Sequence, residues 1–526
     1  MKDFTSPTDE ILFSLHHVAE AGAADAHDAD LAVDVLNQFA PFAEQVIAPT
    51  NRTGDQQGCR LENGRVRTPD GFPDAFRQTA EGGWLGLTVP EAYGGMGLDS
   101  LTAAGISEIS TGANHALQMA TGLLPGAVST LLRFGTADQK QRWIPRLADG
   151  QTLNTMCLTE AGAGSDLSQV RTKAEHHGDG WHLTGEKIFI SNGDQDLSED
   201  ILHFVLARSG AVESGTKGLS LFLCPSHISS GRNDIRVARI EDKLGIHGSP
   251  TCQLVFDRAE AELIGEEGGG LAAMFTLMNH ARIDVALQGV AHAARAWDIA
   301  ANYAGDRAQG RRPDGSPARL SDHADVRQML DEQRALAVGS RAMCHLALVV
   351  LEDPDQRPLA DFLTPVCKMF ATEAGIRAAD LGIQVLGGYG YLEEYDIAQT
   401  WRDARITSIY EGANGIHALT AATRGLKAHG GAGADAFAPF IMRLGGEAAP
   451  VISCLADWQD MRAETASHQA APPNARLFAS LTAELFFRAA WVRIGKVSSG
   501  TKYEGEFEQL SEKVLKSPMP LPRFSA

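Results

Sequence analysis

The strongest constraint on this chain is that its pattern changes twice. From Leu31 to Ala48 apolar residues recur at helical spacing (Val35, Phe39, Phe42, Val46), and helical text continues to Gly150. From Gln151 the text turns β-rich, with short runs at 155–158, 170–174, 181–190, 201–208, 219–224, 235–239 and 252–256. Turn signals separate them: HGDG, SNGD, ESGTKG and SGRND. Strands this short and closely spaced predict a small antiparallel barrel or sandwich. At Gly268-Gly269-Gly270 helical text returns over 271–308, 321–352, 361–386 and 412–426. The order predicts an α+β chain with an N-terminal extension (1–30), an N-terminal all-helical domain (31–150) and a middle antiparallel β-domain (151–267). A C-terminal helical bundle (268–428) and an extra C-terminal helical domain (429–526) follow. In the bundle, Val326, Met329, Leu330, Leu336, Ala337, Met343, Ala347 and Val350 predict one apolar face, with Ser321 or Asp322 as the cap. Gly387-Gly388 predicts a helix end, and HGGAGAD (429–435) a short flexible linker.

Size and charge remove several classes. A chain of 526 residues is too long for one core. A formal net charge of −20 argues against general binding to nucleic acid or to an anionic membrane. No uninterrupted apolar run approaches the roughly 20 residues of a membrane span. The acidic first thirty residues are the opposite of an Arg-rich transit peptide and lack a signal-peptide core. The seven cysteines are scattered with no Cys-x-x-Cys pair, which fits a reducing cytoplasm. The expected setting is cytoplasmic, without membrane insertion.

Motif searching closes other routes. No Gly-x-Gly-x-x-Gly sits between a strand and a helix, and there is no P-loop, His-Glu-x-x-His or Gly-x-Ser-x-Gly elbow. The acidic run 194–200 lacks the central Gly and distal Glu of a calcium loop, so it reads as a solvated turn and no metal site is expected. Three stretches carry more. MCLTEAGAGSDL (156–167) gathers small residues around Thr159 and Ser165, where backbone amides and hydroxyls can meet a phosphate or a polar ring edge. KIFISNG (187–193) sets Phe189 beside Ser191: a wall for a planar heterocycle, or ordinary core. Arg282 lies on the expected buried face of its helix, where a guanidinium needs an anion: a phosphate, or an acidic residue on a neighbouring helix. Glu411, in RITSIYEGANGIH (405–417), is by itself one carboxylate before a glycine.

Together MCLTEAGAGSDL, GEKIFISNG, KLGIHGSPTCQLVFD, Arg282 in its helix, QVLGGYGY and IYEGANGI resemble, in order and spacing, the acyl-CoA dehydrogenase family over residues 31–426. The resemblance implies an N-terminal helical domain, a middle β-domain, a C-terminal four-helix bundle and a non-covalent FAD. It implies that Met156, Leu158, Thr159, Gly164, Ser165, Phe189, Ile190 and Ser191 hold that FAD. Arg282, Gln384, Gly387 and Gly388 match groups reaching the FAD of a neighbouring subunit, hence a homodimer or higher homo-oligomer. Glu411 matches the general base. Ser165 and Gly412 match substrate contacts, the Gly412 amide polarising the thioester carbonyl. The implied reaction is α,β-dehydrogenation of an acyl-CoA: Glu411 takes the α-proton, hydride goes to FAD, and electron-transfer flavoprotein accepts the electrons.

Within the family, residues 193–225, 243–252 and 270–290 are similar to the subgroup acting on 3-methylthiopropionyl-CoA in dimethylsulfoniopropionate degradation. That subgroup also carries an extra C-terminal helical domain. Ala413 departs from the pattern, standing where many relatives have Thr. An oxygen-using acyl-CoA oxidase, a flavin protein of this fold with other chemistry, and a non-catalytic acyl-CoA-binding protein are the alternative readings.

Overall fold

The computed structural model describes residues 3–23, 27–468 and 472–516, except the side chains at 23 and 279–281. Its contacts fall into two compact units. One comprises Gln45–Asp99 and Ala113–Ala281, the other Met1–Glu44, Ser100–Gly112 and Arg282–Ala526. The helix Ser100–Thr121 changes unit near Asn114, whose backbone leaves helical geometry (φ −160°, ψ 97°). The Asn114 side chain then accepts from the Leu117 N–H at 3.1 Å, capping the second half, and donates to Thr50 Oγ1 at 2.8 Å.

The first unit is built on a seven-stranded sheet that closes into a barrel. Thr251–Ile264 pairs with Gly180–Ser191 along most of its length, then at its far end with Leu219–Pro225. Leu219–Pro225 pairs with Asp200–Arg208, which touches Lys173–His177 and so returns to Gly180–Ser191. A strand serving two neighbours must bend, and a register shift at Asp257/Ala259, with Arg258 at φ 61°, marks the bend. The pairing is mostly antiparallel, as the short spacing predicts. The exceptions are Thr152–Cys157, parallel to Asp200–Arg208 along its whole length, and the short contact of Lys173–His177 with that same strand, also parallel. Leu183, Val205, Phe222, Cys252, Leu254 and Phe256 fill the interior.

The acidic run 194–200 is not a solvated turn. Asp194 is buried and accepts from Arg65 Nε at 2.9 Å and the Val66 N–H at 2.8 Å. Asp196 accepts from the Thr68 hydroxyl at 2.6 Å, and Asp200 from the Ser226 hydroxyl at 2.7 Å. These carboxylates pin the small hairpin Arg60–Glu62/Arg65–Arg67 and a barrel strand, partners too remote in sequence for local reading to find.

In the second unit the long helices are Gly270–Asp306 (from Arg282 on), Ala324–Glu352 and Arg357–Leu386, followed by Asn414–Ala422. Gly289 and Gly375 let two of them cross at backbone contact, since a Cβ on Gly289 would sit 2.3 Å from the Ala371 carbonyl. Ala324–Glu352 differs from its predicted one-sided form: residues 332–348 are buried on every side. Ala475–Val497 covers its other face, with Phe487 and Trp491 seated on Gly339. Ala324–Glu352 is the one helix, among the described residues, long and apolar enough to cross a membrane, and 83% of that window is buried within the protein. Its start is at Ala324 with His323 as the cap residue, because Leu320–Asp322 forms a separate 3-10 turn. Leu386 ends the next helix as expected, with Gly387 at φ 61°. The predicted linker is largely helical, Ala432 opening the helix Ala432–Gly445.

A buried ion network ties the termini of this unit to the bundle. Arg341 meets Glu108 at 2.6 Å and Glu10 at 3.0 Å, and Arg334 meets Glu10 and Glu506 at 2.6 Å each. Glu108→Ala leaves Arg341 buried with half its partners, so the variant should lose about 3–5 kcal/mol of stability in denaturant titrations. The helix Asn414–Ala422 starts from Ala413 with no side-chain cap. Ala413→Thr supplies one and should add roughly 0.5–2 kcal/mol, read as a raised melting temperature.

Candidate active site

Glu411 stands in the turn between Ile406–Ser408 and Asn414–Ala422. Two successive left-handed residues make the turn, Glu411 at φ 53° and Gly412 at φ 97°. The conformation is unfavourable for glutamate, and only glycine fits next: a Cβ at 412 would sit 2.8 Å from His417 Nε2. What holds the turn lies beneath it. Lys368, fully buried, donates from Nζ to the Gly412 carbonyl at 2.8 Å and to Asn414 Oδ1 at 3.1 Å. Asn414 in turn donates to Glu373 Oε1 at 3.0 Å and Thr372 Oγ1 at 3.1 Å. His417 Nε2 lies 3.1 Å from the Glu411 carbonyl. Burial holds this imidazole down to about 3, so it is neutral and Nε2–H donates.

Glu411 as a residue is half-buried, but its Oε2 is fully buried and has no hydrogen-bond partner among the described residues. Burial pushes its carboxyl up to about 7, against the opposing pull of Arg282 and Lys368 and with a contribution from Asp284. The Gly412 N–H has no acceptor among the described residues. The turn thus offers, one residue apart, a buried carboxyl oxygen and a backbone N–H that both lack a hydrogen-bond partner among the described residues.

Arg282 belongs to this cluster by its electrostatics: the Glu411 carboxyl of the same chain favours its charged form. Gln384, Gly387 and Gly388 lie elsewhere in the same unit, exposed in a recess of about 590 Å³ that Tyr303 and Tyr389 also line. Among the described residues the arginine of that recess is Arg307, its guanidinium 5.5 Å from the Tyr389 ring centre. The four residues grouped in the sequence reading therefore separate, Arg282 to the base and the other three to Arg307. No sequence motif marks Arg307, a single cation one residue past the end of Gly270–Asp306.

In the barrel unit, Met156 and Leu158 sit at the end of Thr152–Cys157, and the loop after them doubles back through Glu160 and Ala163. Gly164 and Ser165 are exposed, and Cβ atoms on Gly162 and Gly164 would meet nothing within 4 Å. Phe189 is not core. One extra residue opposite Gln253 makes a bulge, and at φ 58° Phe189 is turned outward, 60% exposed, between the inward Lys187 and the buried Ile190. The hydroxyls of Thr159, Ser165 and Ser191 have no hydrogen-bond partner among the described residues. An outward aromatic face, open glycines and available hydroxyls fit a planar heterocycle with a polar edge and a phosphate tail.

A second buried lysine anchors this loop. Lys187 Nζ donates to the Leu158 carbonyl at 3.0 Å and pairs with Glu160 at 2.8 Å, while Glu160 accepts the backbone N–H groups of Arg171 and Thr172. Neither lysine was singled out from sequence. Lys187 shares inward parity with Trp181 and Leu183, and Lys368 interrupts the apolar run PVCKMFA; these were the available signals.

Three family models match in succession: acyl-CoA dehydrogenase N-terminal domain over residues 33–151, middle domain over 155–259 and C-terminal domain over 268–426. The chain is 39% identical over 469 residues to the 3-methylmercaptopropionyl-CoA dehydrogenase of Ruegeria pomeroyi, covering 84% of this chain and 80% of that one. It is 33% identical over 457 residues to the broad-specificity linear acyl-CoA dehydrogenase FadE5 of Mycobacterium tuberculosis, covering 80% and 74%. The solved structure of Caenorhabditis elegans ACDH-11 in complex with C11-CoA superposes with a TM-score of 0.85 over 99% of this chain and 92% of that one; at 20% identity the likeness is one of fold. With its helical, β and helical segments in family order, the chain belongs to the acyl-CoA dehydrogenase family of flavin-dependent oxidoreductases.

Proposed function

We propose that this protein dehydrogenates a short or medium acyl-CoA thioester to the enoyl-CoA, with FAD as cofactor and Glu411 as the base. The observation that carries the reading is Glu411 Oε2, a buried carboxyl oxygen with no hydrogen-bond partner among the described residues, on a group pushed up to about 7. A thioester α-proton is weakly acidic, so its removal needs a base of raised proton affinity and a donor for the developing enolate oxygen. Glu411 is the first and the Gly412 N–H the second. The FAD, when bound, accepts the β-hydrogen as hydride, chemistry that no side chain performs. Met156, Leu158, Thr159, Gly164, Ser165, Phe189, Ile190 and Ser191 would hold it, Ser165 also touching substrate.

Gln384, Gly387 and Gly388, with Arg307 in place of Arg282, would meet the FAD of a second subunit in a homodimer or larger assembly. Arg282 instead opposes Glu411 and favours its ionised form. The proposed substrate is 3-methylthiopropionyl-CoA, supported by 39% identity to the Ruegeria enzyme, with electron-transfer flavoprotein as acceptor. The seven cysteines are all unbridged, which supports a reducing, cytoplasmic setting.

Two experiments test this reading. Glu411→Gln should give a folded, yellow protein whose flavin reduction by acyl-CoA is at least ~10²-fold slower; reduction at the wild-type rate would remove Glu411 as the base. Because Glu411 must be ionised to act, the wild-type reduction rate should rise with pH through an inflection near 7 rather than near 4.5. Stopped-flow traces across pH, with 3-methylthiopropionyl-CoA beside straight-chain thioesters, give that inflection and rank the substrates.

A further inference from the structure

Behind the reactive turn lies a cation that the reaction scheme does not use. Lys368 is fully buried, yet among the described residues no carboxylate lies within ion-pairing distance of its Nζ. Its two acceptors are the Gly412 carbonyl and Asn414 Oδ1, both neutral. A buried ammonium without an ion partner is costly. It is retained at the carbonyl of the residue that follows the base, in a turn whose glutamate has an unfavourable backbone. Asn414 extends the clamp to Thr372 and Glu373 of the helix that carries Lys368, so turn and helix are tied at both residues flanking Ala413.

We propose that Lys368 is the positioning residue for the base: its buried Nζ donates to the Gly412 carbonyl and the Asn414 side chain, and so sets the left-handed turn that presents the Glu411 carboxyl and the Gly412 N–H. Below about 7, where it is protonated, it also acts on the Glu411 carboxyl as an opposite charge. This rests on the reading of Glu411 as the base. Other charged or titratable groups also face the pair. Arg282 and Asp284 come from the Gly270–Asp306 helix, Glu373 from the helix of Lys368, and Tyr410 and His417 from the turn and its helix. Arg424 acts on Arg282 as a like charge, and Arg476 pairs with Glu373 at 3.7 Å. Lys368 is the one that also bonds the turn's backbone from beneath, so charge and geometry are lost together when it is removed.

Lys368→Gln keeps a donor for the Gly412 carbonyl and removes the charge; Lys368→Met removes both. In the flavin-loaded variants, Glu411 is titrated directly by the infrared carboxylic-acid band that Glu411→Gln abolishes, and flavin reduction by acyl-CoA is followed across pH. The midpoint of Glu411 should move alkaline in both variants, by up to about one unit, because Lys368 carries its opposite charge over the acid half of that titration. The rate plateau above that midpoint should fall by at least about tenfold in Lys368→Met, with Lys368→Gln recovering part of the loss. An unmoved midpoint in Lys368→Gln, or a wild-type plateau in Lys368→Met, overturns the proposal. If Lys368→Met does not fold, the Lys368→Gln midpoint decides alone. If Glu411→Gln retains turnover, the base assignment fails while the infrared shift still reports whether Lys368 acts on that carboxyl.

Discussion

Burying a carboxyl group is the constraint on which the reactive end of this protein depends. Out of water Glu411 holds its proton more tightly, and the same burial acts in the opposite sense on Lys368, which is held down to about 7. Two groups of opposite type thus meet near neutrality, each favouring the charged form of the other. The consequences for stability differ in sign. Between 4.5 and about 7 the folded chain keeps a Glu411 proton that the unfolded chain has released, so this contribution is full below 4.5 and is lost as pH rises through 7. Between about 7 and 10.5 the unfolded chain keeps a Lys368 proton that the folded chain has lost, so folding gains as pH rises.

Backbone strain enters at the same places as buried charge. Glu411 at φ 53° and Phe189 at φ 58° are both non-glycine residues in the left-handed region, and both present a side chain that ordinary helix or strand geometry would direct elsewhere. Each sits close to a segment clamped from inside by a buried lysine bonded to a backbone carbonyl: Lys368 to Gly412 at 2.8 Å, Lys187 to Leu158 at 3.0 Å. Glycine does the complementary work between helices. Gly289 and Gly375 bring two backbones together, and Gln288, beside Gly289, receives the Tyr410 hydroxyl next to Glu411.

Much of the architecture was legible because it rests on local periodicity. The switch to β text at Gln151, the return to helices at Gly268 and the helix end at Leu386 all follow from patterns a few residues long. The misreadings have a common cause, partners far away in sequence. The acids 194–200 read as solvated until the hairpin at 60–67 is folded onto them. Ala324–Glu352 read as one-sided until residues 475–497 cover its second face. Phe189 was ambiguous between wall and core because a one-residue bulge depends on the strand opposite.

By itself the sequence determined the order of helical and β segments, the chemical types needed for acyl-CoA chemistry and the departure at Ala413, because spacing and residue identity are properties of the chain. Tertiary structure decided which groups share an environment. It separated Arg282 from Gln384 and brought Arg307 there instead, emptied one side of Glu411 of partners, and set Lys368 beneath the turn. The physical reason is desolvation: what a charge does depends on the water it has lost and the charges left beside it, and folding alone settles both.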